Sequence, residues 1–387
     1  MAAKVARALR SKAEARMTWA QVRAFRARRQ FLDARAPAGS LLPVVARLSG
    51  LHAQLLSSAE LSAWARIDDL DAGEVTKALF RDRTLVKTWA MRGTLHLLPV
   101  FELGLWYAAL GAFGHFLEDR WLRWAGLTQA QLFRILDAIP RALEEGPLSR
   151  EELAAAVGRL TRSRALGEKV RESSWGMLLK PSAYRGELCF AQSVGARVRF
   201  ARPDRWVPAI PEAPSREDAL REVTRRFLTA YGPATREDYS RFWGRLTLSE
   251  AGRRIASLGD ELAEVDLEGR PAFLLRSDLD VAQDARPVKS VRLLPAFDPY
   301  VVGASPHTAG LMPGNFRARI YRPQGWFTPV VLVSGRMDGV WKLERKARSI
   351  AVEIEPFVPL AGWARRGVEE EAERLAAFFG LPLAKVR

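Results

Sequence analysis

The sequence predicts an α+β fold in which a unit of helices and a β-hairpin occurs three times before a strand-rich C-terminal part. Helical spacing of apolar residues recurs in segments that begin with a serine or threonine capping residue. Each group of helices is followed by two short β-rich runs joined by a turn that contains glycine. Helices followed by a hairpin have the element order of a winged helix, so the sequence indicates three winged-helix units in tandem.

The first unit is predicted over residues 19–125. Val22, Phe25 and Leu32 fall at helical spacing among arginines, which predicts an amphipathic helix over 19–34 with a basic outer face. Further helices are predicted over 40–48, from Ser57 or Ser58 to Ala65, and over 73–80. The β-rich runs 85–91 and 94–98 then form the first hairpin.

Two more units are predicted over residues 126–212 and 213–283. Thr128 with Gln131, and Ser149 with Glu152, have the capping-box spacing that begins a helix. The second unit has predicted helices over 128–143, from Ser149 and over 165–179, and strands over 187–192 and 197–202. The third unit has predicted helices over 215–231, from Thr235 and over 248–258, and strands over 262–267 and 271–275.

The C-terminal part, residues 284–387, contains short apolar runs separated by turn residues. Strands are predicted over 291–294, 316–321, 327–333, 340–343 and 349–354. Such runs are typical of a small β-barrel or of a curled antiparallel sheet. A closing helix is predicted over 368–379, with Gly380 just past its end as the C-terminal cap.

The charge of the chain points to a polyanionic partner. The formal net charge is +16 and the sequence pI is about 10.5, and 50 of the 60 basic residues are arginine, the better bidentate ligand for phosphate. Nucleic acid is the most common partner of so basic a protein. Residues 1–18 form a basic tail, which either binds phosphate backbone weakly or extends ahead of an internal start at Met17.

Several classes of protein are excluded by composition. Cys189 is the single cysteine, which rules out a disulfide framework, and the four histidines are too widely spaced to suggest a metal site. We therefore expect no metal and no cofactor. No apolar run reaches the roughly 18 residues of a membrane span, and the arginine-rich start lacks the apolar region of a secretory signal. A soluble, cytoplasmic protein that binds DNA or RNA is expected.

Five stretches of the chain carry a resemblance to a known family. They are GLHAQ at 50–54, WAMRGTLH at 89–96, YGPAT at 231–235, LPAFDPY at 294–300, and VSGR at 333–336 followed by GVW at 339–341. With these stretches the chain resembles the winged-helix DNA glycosylases that repair bulky alkylated purines and interstrand crosslinks. That family includes bacterial self-resistance proteins for DNA-alkylating antibiotics.

The resemblance implies three tandem winged helices in a C-shape plus a C-terminal small β-barrel, with double-stranded DNA in the basic concave face. Three winged helices in one chain suggest a monomer that clamps DNA, and such a protein is expected in the cytoplasm, associated with the nucleoid. The family's usual catalytic motif is Gln-x-Gln or Gln-x-Asp, and the matching positions here are His52-Ala53-Gln54. This His-x-Gln pattern resembles a variant known within the family.

The chemistry of alkylated purines explains how His52 and Gln54 could act. An N7- or N3-alkylated purine already carries positive charge, so it leaves readily and needs little general acid. The amide of Gln54 could hold a water below C1′ of the sugar, and His52 could accept a proton from that water. Spacing of two residues in an extended segment places both side chains on one face. Alternatively, His52 caps a helix end and Gln54 is a surface residue.

Four more residues are candidates for the site. Asp298 orients His52 or the water and stabilises charge developing on the sugar, or it only forms an Asx turn before a proline. Tyr300 lines the same pocket or belongs to the core. Arg92, at a hairpin turn, contacts phosphate or base. His96 reaches the site or has a structural role in the hairpin.

The remaining candidates are predicted to contact DNA. The segment 322–326 lies between two predicted strands, and Arg322 and Gln324 at its tip could enter a minor groove; the alternative is a solvated turn. Tryptophans such as Trp64 and Trp89 are expected in the core. On the first helix, the best phosphate ligands are Arg23, Arg26, Arg28 and Arg29, whose alternative is a solvated face.

The predicted activity is that of a monofunctional DNA glycosylase, which hydrolyses the N-glycosidic bond of an alkylated purine and leaves an abasic site. Lyase activity is not expected, because it needs an amine nucleophile and no lysine lies near the motif in sequence. The alternatives are a non-catalytic winged-helix DNA-binding protein such as a transcription regulator, and a protein that sequesters the DNA-damaging compound itself.

Overall fold

The computed structural model describes residues 13–244, 246–304 and 307–387. Two compact units compose the chain. Unit 1 contains residues up to 74 together with 224–387, and unit 2 contains residues 75–223. Both units combine helices with β-strands, which agrees with the predicted α+β class. The first twelve residues of the predicted basic tail lie outside the described residues.

Unit 1 begins with a strand that the sequence did not predict. Ala15–Met17 pairs in parallel with Leu262–Leu267, which in turn pairs antiparallel with Arg270–Leu275. The side chain of Met17 is buried in the core that this three-stranded sheet shares with the first helix. The interpretation of residues 1–18 as a tail is therefore wrong for Ala15–Met17. The strand Ala15–Met17 is too short to show a periodic pattern, and the strand with which it pairs lies far away in sequence.

Ten helices of unit 1 are described; six were predicted, with shifted ends, and the four short helices between Ala256 and Gly362 were not. The ten helices are Trp19–Arg29, Leu41–Arg47, Leu56–Trp64, Arg236–Trp243, Leu248–Ala256, Leu279–Gln283, Pro299–Gly303, Thr308–Leu311, Arg317–Ile320 and Gly362–Phe379. Thr18, Thr235 and Thr247 each form a complete capping box. Two helices, Glu74–Phe80 and Arg216–Tyr231, contain the points at which the chain passes between the units.

A five-stranded sheet forms the C-terminal part of unit 1. Its strands, in hydrogen-bonded order, are Val291–Leu294, Val330–Val333, Arg336–Arg345, Ile350–Pro356 and Leu383–Val386. Successive pairs are antiparallel except the last, which is parallel. The helix Gly362–Phe379 ends at Gly380, whose left-handed conformation confirms the predicted cap.

One predicted strand of this part is wrong. Residues 316–321 contain the short helix Arg317–Ile320 instead, and only Tyr321 forms a single bridge, to Phe327. The run alternates apolar and basic residues, a pattern that favours a strand. No described neighbouring strand pairs with it beyond that bridge, so the backbone amides are satisfied within a helical turn.

Unit 2 contains both of the first two predicted hairpins. Leu85–Trp89 pairs with Leu95–Pro99, and Cys189–Val194 pairs with Arg197–Ala201. The hairpins join in one sheet where Lys87 lies opposite Phe190, and Leu148–Ser149 pairs with the last of these strands. The joining of the two hairpins was not predicted, because sequence patterns do not define the partner of an edge strand.

In sequence, the helices of unit 2 lie between the two hairpins and after the second one. They are Leu103–Leu110, Asp119–Ala125, Gln129–Ala142, Arg150–Leu160, Arg164–Glu172, Lys180–Tyr184 and Pro203–Trp206. The capping boxes of Thr128 and Ser149 are confirmed. The helix predicted over 165–179 ends at Glu172 and is followed by a turn at Gly176. A side chain there would lie 2.3 Å from the Trp89 ring, and its φ is +66°. In the described part of the chain, no helix is long and apolar enough to cross a membrane.

Candidate active site

A tight chain reversal places the His52 motif. The helix Leu41–Arg47 ends in two residues with positive φ, Ser49 at 60° and Gly50 at 97°. The amide of Gly50 donates to the carbonyl of Val45 over 2.9 Å, which closes the helix. The chain then enters the two-residue strand Leu51–His52. The backbone just before His52 is therefore fixed by the helix cap.

His52 is held by an aromatic stack. Its ring lies parallel to that of Phe297, with centroids 4.8 Å apart and planes 8° apart, and its exposed fraction is 6%. Gln54 follows two residues later in a bend and is half-buried. The structure thus brings together two of the stretches that carry the family resemblance, 50–54 and 294–300. The sequence analysis did not predict this stack, and it assigned no role to Phe297.

Phe297 itself has an unusual backbone. Its φ is +62°, a conformation that costs a residue with a side chain about 1–3 kcal/mol and persists only where its surroundings enforce it. The ring is packed on two sides, because Trp326 contacts it edge-on with centroids 5.0 Å apart. The stack therefore runs from His52 through Phe297 to Trp326.

A buried ion pair fixes the residue after Phe297. The carboxylate of Asp298 accepts two hydrogen bonds from the guanidinium of Arg66, at 2.7 and 2.8 Å, and both side chains are 0% exposed. It also accepts a bond from the amide of Tyr300 over 2.9 Å and caps the helix Pro299–Gly303. Asp298 thus forms the Asx-type turn that was one alternative. Asp298 directly follows Phe297 in the chain, so this ion pair adjoins the residue whose ring stacks on His52.

Arg66 is a site residue that the sequence analysis missed. Its Nη1 also donates to the carbonyl of Ser62 over 2.9 Å, so the guanidinium spans the end of the helix Leu56–Trp64 and the Asp298 turn. The signal that could have found it is an arginine between Ala65 and Ile67, at the end of an apolar helix. A charged residue in such surroundings is rarely buried unless it is paired.

Tyr300 lies in the interior. Its hydroxyl donates to the carbonyl of Gly335 over 2.7 Å, and burial raises the pKa of this phenol to about 12. Of the two alternatives for Tyr300, a place in the pocket lining or in the core, its burial and this bond favour the core. The bond joins the stretches 294–300 and 333–336.

Arg92 and His96 form a pair within unit 2. Arg92 occupies the hairpin turn with a φ of 59°, and its Nη2 lies 3.0 Å from Nε2 of His96. Nδ1 of His96 lies 3.0 Å from the carbonyl of Thr94. Since a guanidinium donates and a carbonyl accepts, a neutral His96 with its proton on Nδ1 satisfies both contacts. His96 is buried, and its contacts with Arg92 and with the Thr94 carbonyl favour the structural role in the hairpin that was one of its two alternatives.

The four arginines of the first helix have different environments. Arg26 is buried and donates to the carbonyl of Pro233 over 2.7 Å, with Asp238 at 3.5 Å, so its prediction as a phosphate ligand is wrong. Arg29 pairs with Asp278. Arg23 donates to a backbone carbonyl over 2.7 Å, and burial lowers the pKa of its guanidinium. Arg28 is half exposed and remains a candidate phosphate ligand.

A pair of substitutions on this helix should separate structural from DNA-binding arginines. Arg26→Gln is expected to cost about 1.5–3 kcal/mol of stability, the value of hydrogen bonds to charged groups. Arg28→Gln should change stability by less than about 0.5 kcal/mol and reduce the salt slope of DNA binding by about 0.9. Urea unfolding and binding titrations measure both effects. Equal stability losses in the two variants would contradict the assignment.

The segment 322–326 forms an exposed turn. It is closed by the bridge between Tyr321 and Phe327 and by a hydrogen bond of 2.9 Å from the amide of Arg322 to the carbonyl of Trp326. Gln324 stands at the tip with a φ of 59°. Trp326 is 49% exposed, so not every tryptophan lies in the core, although Trp64 and Trp89 are buried as predicted.

Metal ligands are not gathered near this site. Among residues 13–244, 246–304 and 307–387, no group of three or more His, Cys, Asp or Glu side chains could hold a metal ion. Cys189 is buried, which raises the pKa of its thiol. His52 and Gln54 themselves supply an imidazole and a carboxamide.

Comparison with known proteins identifies the family of this chain. A family model described as DNA glycosylase AlkZ-like matches residues 45–378, and the chain belongs to this family. The interstrand DNA cross-link repair glycosylase of Streptomyces sahachiroi is 34% identical over 374 residues, which are 96% of this chain and 99% of the relative. The solved structure of Streptomyces sahachiroi DNA glycosylase AlkZ has a TM-score of 0.86 at 33% identity, over 96% of this chain and 99% of that one.

These similarities confirm the family that the motifs suggested, that of the AlkZ-like DNA glycosylases. They also confirm the mixed α+β class, since the match to the solved structure covers nearly the whole chain. The matched residues 45–378 include His52, Gln54, Arg66 and Asp298.

Proposed function

We propose that this protein is a monofunctional glycosylase that hydrolyses the N-glycosidic bond of N7- or N3-alkylated purines in double-stranded DNA. Bulky adducts and crosslinked purines are the expected substrates, since the Streptomyces sahachiroi relative is named an interstrand DNA cross-link repair glycosylase. The observation that carries the proposal is the stack of His52 on Phe297, with Gln54 two residues away. A role in repair, or in self-resistance to an alkylating antibiotic, follows from such a substrate.

The two side chains divide the work of activating one water. The Gln54 amide offers both a donor and an acceptor, so it can orient a water toward C1′ of the deoxyribose. His52 accepts a proton from that water as the bond to the cationic base breaks. Because the leaving base is already positively charged, its departure neutralises it without a general acid. The products are the free alkylated base and an abasic site.

Asp298 contributes to this reaction by position. Its carboxylate is occupied by Arg66 and by the amide of Tyr300. It therefore fixes Phe297, and through that ring it sets the plane of His52. This agrees with the alternative that Asp298 orients His52, whereas a direct contact with the water or the sugar would require the carboxylate to leave Arg66.

The DNA-binding surface is proposed to combine several described residues. Arg28 would contact phosphate, Arg92 would contact phosphate or base, and Gln324 at the tip of the exposed turn is placed to reach a groove. At the level of architecture we propose three tandem winged helices, divided at 125, 212 and 283, with a small barrel over 284–387. A monomer that encloses DNA in a C-shape would use them together.

The experiment that tests this function measures base release. Purified protein is incubated with a duplex containing one 7-methylguanine or one bulky N7 adduct, and abasic sites are counted after alkali. We expect release above the spontaneous rate from the modified duplex and none from an unmodified one. Borohydride should trap no protein–DNA adduct, because no amine attacks the sugar. Tight binding without release would favour the non-catalytic regulator instead.

A further inference from the structure

An open cavity of about 330 Å³ lies in unit 1 beside the exposed turn. Tyr321, Trp326 and Phe327 form its aromatic wall, and the remaining lining residues are Gly325, Arg241, Arg317 and Arg322. These three arginines come from the helix Arg236–Trp243, from the short helix Arg317–Ile320 and from the turn itself. Three separate elements therefore bring guanidinium groups to one cavity.

The charges in this cavity lack a counter-ion. In the described parts of the chain, Arg241, Arg317 and Arg322 form no ion pair with a carboxylate. Nε of Arg241 is buried and has no hydrogen-bond partner among the described residues. Burial and the nearby charge of Arg317 both lower the pKa of Arg241. By contrast, Arg319 on the same short helix pairs with Glu355.

Such a cavity is suited to an oxyanion with several acceptor oxygens. Guanidinium groups bind phosphate through paired, charge-assisted hydrogen bonds. In the cavity wall, the ring of Tyr321 lies under the Arg317 guanidinium at 4.6 Å. The Tyr321 hydroxyl donates to the carbonyl of Val301. A phosphate would offset the repulsion between Arg241 and Arg317, whereas a neutral ligand would leave it in place.

The cavity is close to the candidate active site. Trp326 lines it and contacts Phe297 at 5.0 Å, and Phe297 stacks on His52 at 4.8 Å. The Trp326 ring is therefore within about 10 Å of the His52 ring. Since successive nucleotides of a strand rise about 3.4 Å along the duplex axis, this distance spans at most about three nucleotides.

We propose that Arg241, Arg317 and Arg322 bind one backbone phosphodiester of the damaged strand, within about three nucleotides of the lesion. The inference rests on the proposed function in placing the lesion at His52. Its consequence is that the strand is anchored beside the aromatic stack, so the sugar of the modified nucleotide is held in register with His52 and Gln54. Gln324, at the tip of the same turn, does not line the cavity, so its side chain is available to contact a groove of the DNA.

The first test compares salt dependence of binding to an unmodified duplex. Arg317→Gln/Arg322→Gln is expected to reduce the slope of log affinity against log salt by about 0.9, the value of one phosphate. Both side chains are exposed, so the variant should fold. Arg319→Gln removes a charge from the same helix but outside the cavity, and it should leave the slope unchanged. An equal loss in Arg319→Gln, or no loss in the double variant, would overturn the proposal.

The second test locates the phosphate. Single methylphosphonate linkages, which lack the charge, are placed at successive positions around the lesion. One position within three nucleotides should weaken wild-type binding and leave the double variant unaffected, and a uniform effect at all positions would overturn the proposal. Inorganic phosphate, followed by its ³¹P signal, should bind far more weakly than DNA; tight binding of phosphate alone would indicate a free-phosphate site instead. All readouts are binding, so a protein without base release can still pass or fail them.

Discussion

Replacing His52 by alanine is expected to lower the rate of base release from a 7-methylguanine duplex by about 10²–10⁴-fold, the usual contribution of a positioned general base. Gln54→Ala should cause a loss of similar size, because the water would no longer be oriented even though His52 remained. Single-turnover rate constants on the modified duplex measure both effects without interference from product release.

Alanine also removes the ring that stacks on Phe297, so two further variants separate chemistry from packing. His52→Phe keeps an aromatic ring at 52 but has no nitrogen, and it should be as inactive as His52→Ala while unfolding at a urea concentration close to that of the wild type. His52→Gln creates the Gln-x-Gln pattern of the family that the sequence resembles, and it should restore part of the rate.

The pH profile gives an independent criterion. A protonated imidazole cannot accept a proton from water, so wild-type release should decline toward acid pH, and His52→Gln should remove that decline. If His52→Phe released base as fast as the wild type, His52 would be only a packing residue. The assignment of the general base would then be wrong even if the protein were a glycosylase.

Local chemistry explains most of what the sequence predicted about the fold. A capping box needs only four adjacent residues, and those of Thr128 and Ser149 formed as predicted. The helix predicted to begin at Thr235 also begins there. The closing helix and Gly380 followed the same local logic. The hairpins were likewise identified from alternating residues and a glycine turn, because their strands pair with their nearest neighbour in sequence.

The failures concern partners that are distant in sequence. The strand Ala15–Met17 depends on residues 265–267, and the union of the first two hairpins depends on Lys87 facing Phe190. The helix Arg317–Ile320 replaced a strand because one bridge was available instead of a full ladder. In all three places the secondary structure depends on which strands pair in the folded chain, and local sequence patterns do not predict that pairing.

For the site, the sequence predicted the motif but not its support. His52, Gln54 and Asp298 were identified from stretches with a family resemblance, whereas Arg66, Phe297 and Trp326 were not. Arginine composition was particularly misleading, because Arg26 and Arg66 are buried and serve the fold. A net charge of +16 indicates a polyanionic partner, but only the coordinates separate arginines that face solvent from arginines that hold the interior together.

The largest expected effect on stability comes from the ion pair beneath the aromatic stack. Arg66→Met should lower the free energy of unfolding by about 3–5 kcal/mol, since it leaves the carboxylate of Asp298 buried without its partner. The matched double variant Arg66→Met/Asp298→Asn removes both charges, and the asparagine can still cap the helix Pro299–Gly303. It should therefore be more stable than Arg66→Met alone. Urea unfolding of wild type, single and double variants measures the coupling.

The same double variant distinguishes a positioning role from a purely structural one. If Asp298 and Arg66 act only on stability, the double variant should release base at the wild-type rate whenever it is folded. If they also set the plane of His52 through Phe297, the rate should fall at temperatures where the variant is fully folded. Phe297→Leu, which leaves the ion pair intact, should reproduce that fall. A Phe297→Leu protein with wild-type base release would show that the stack does not position His52, and Asp298 would then have no link to the chemistry.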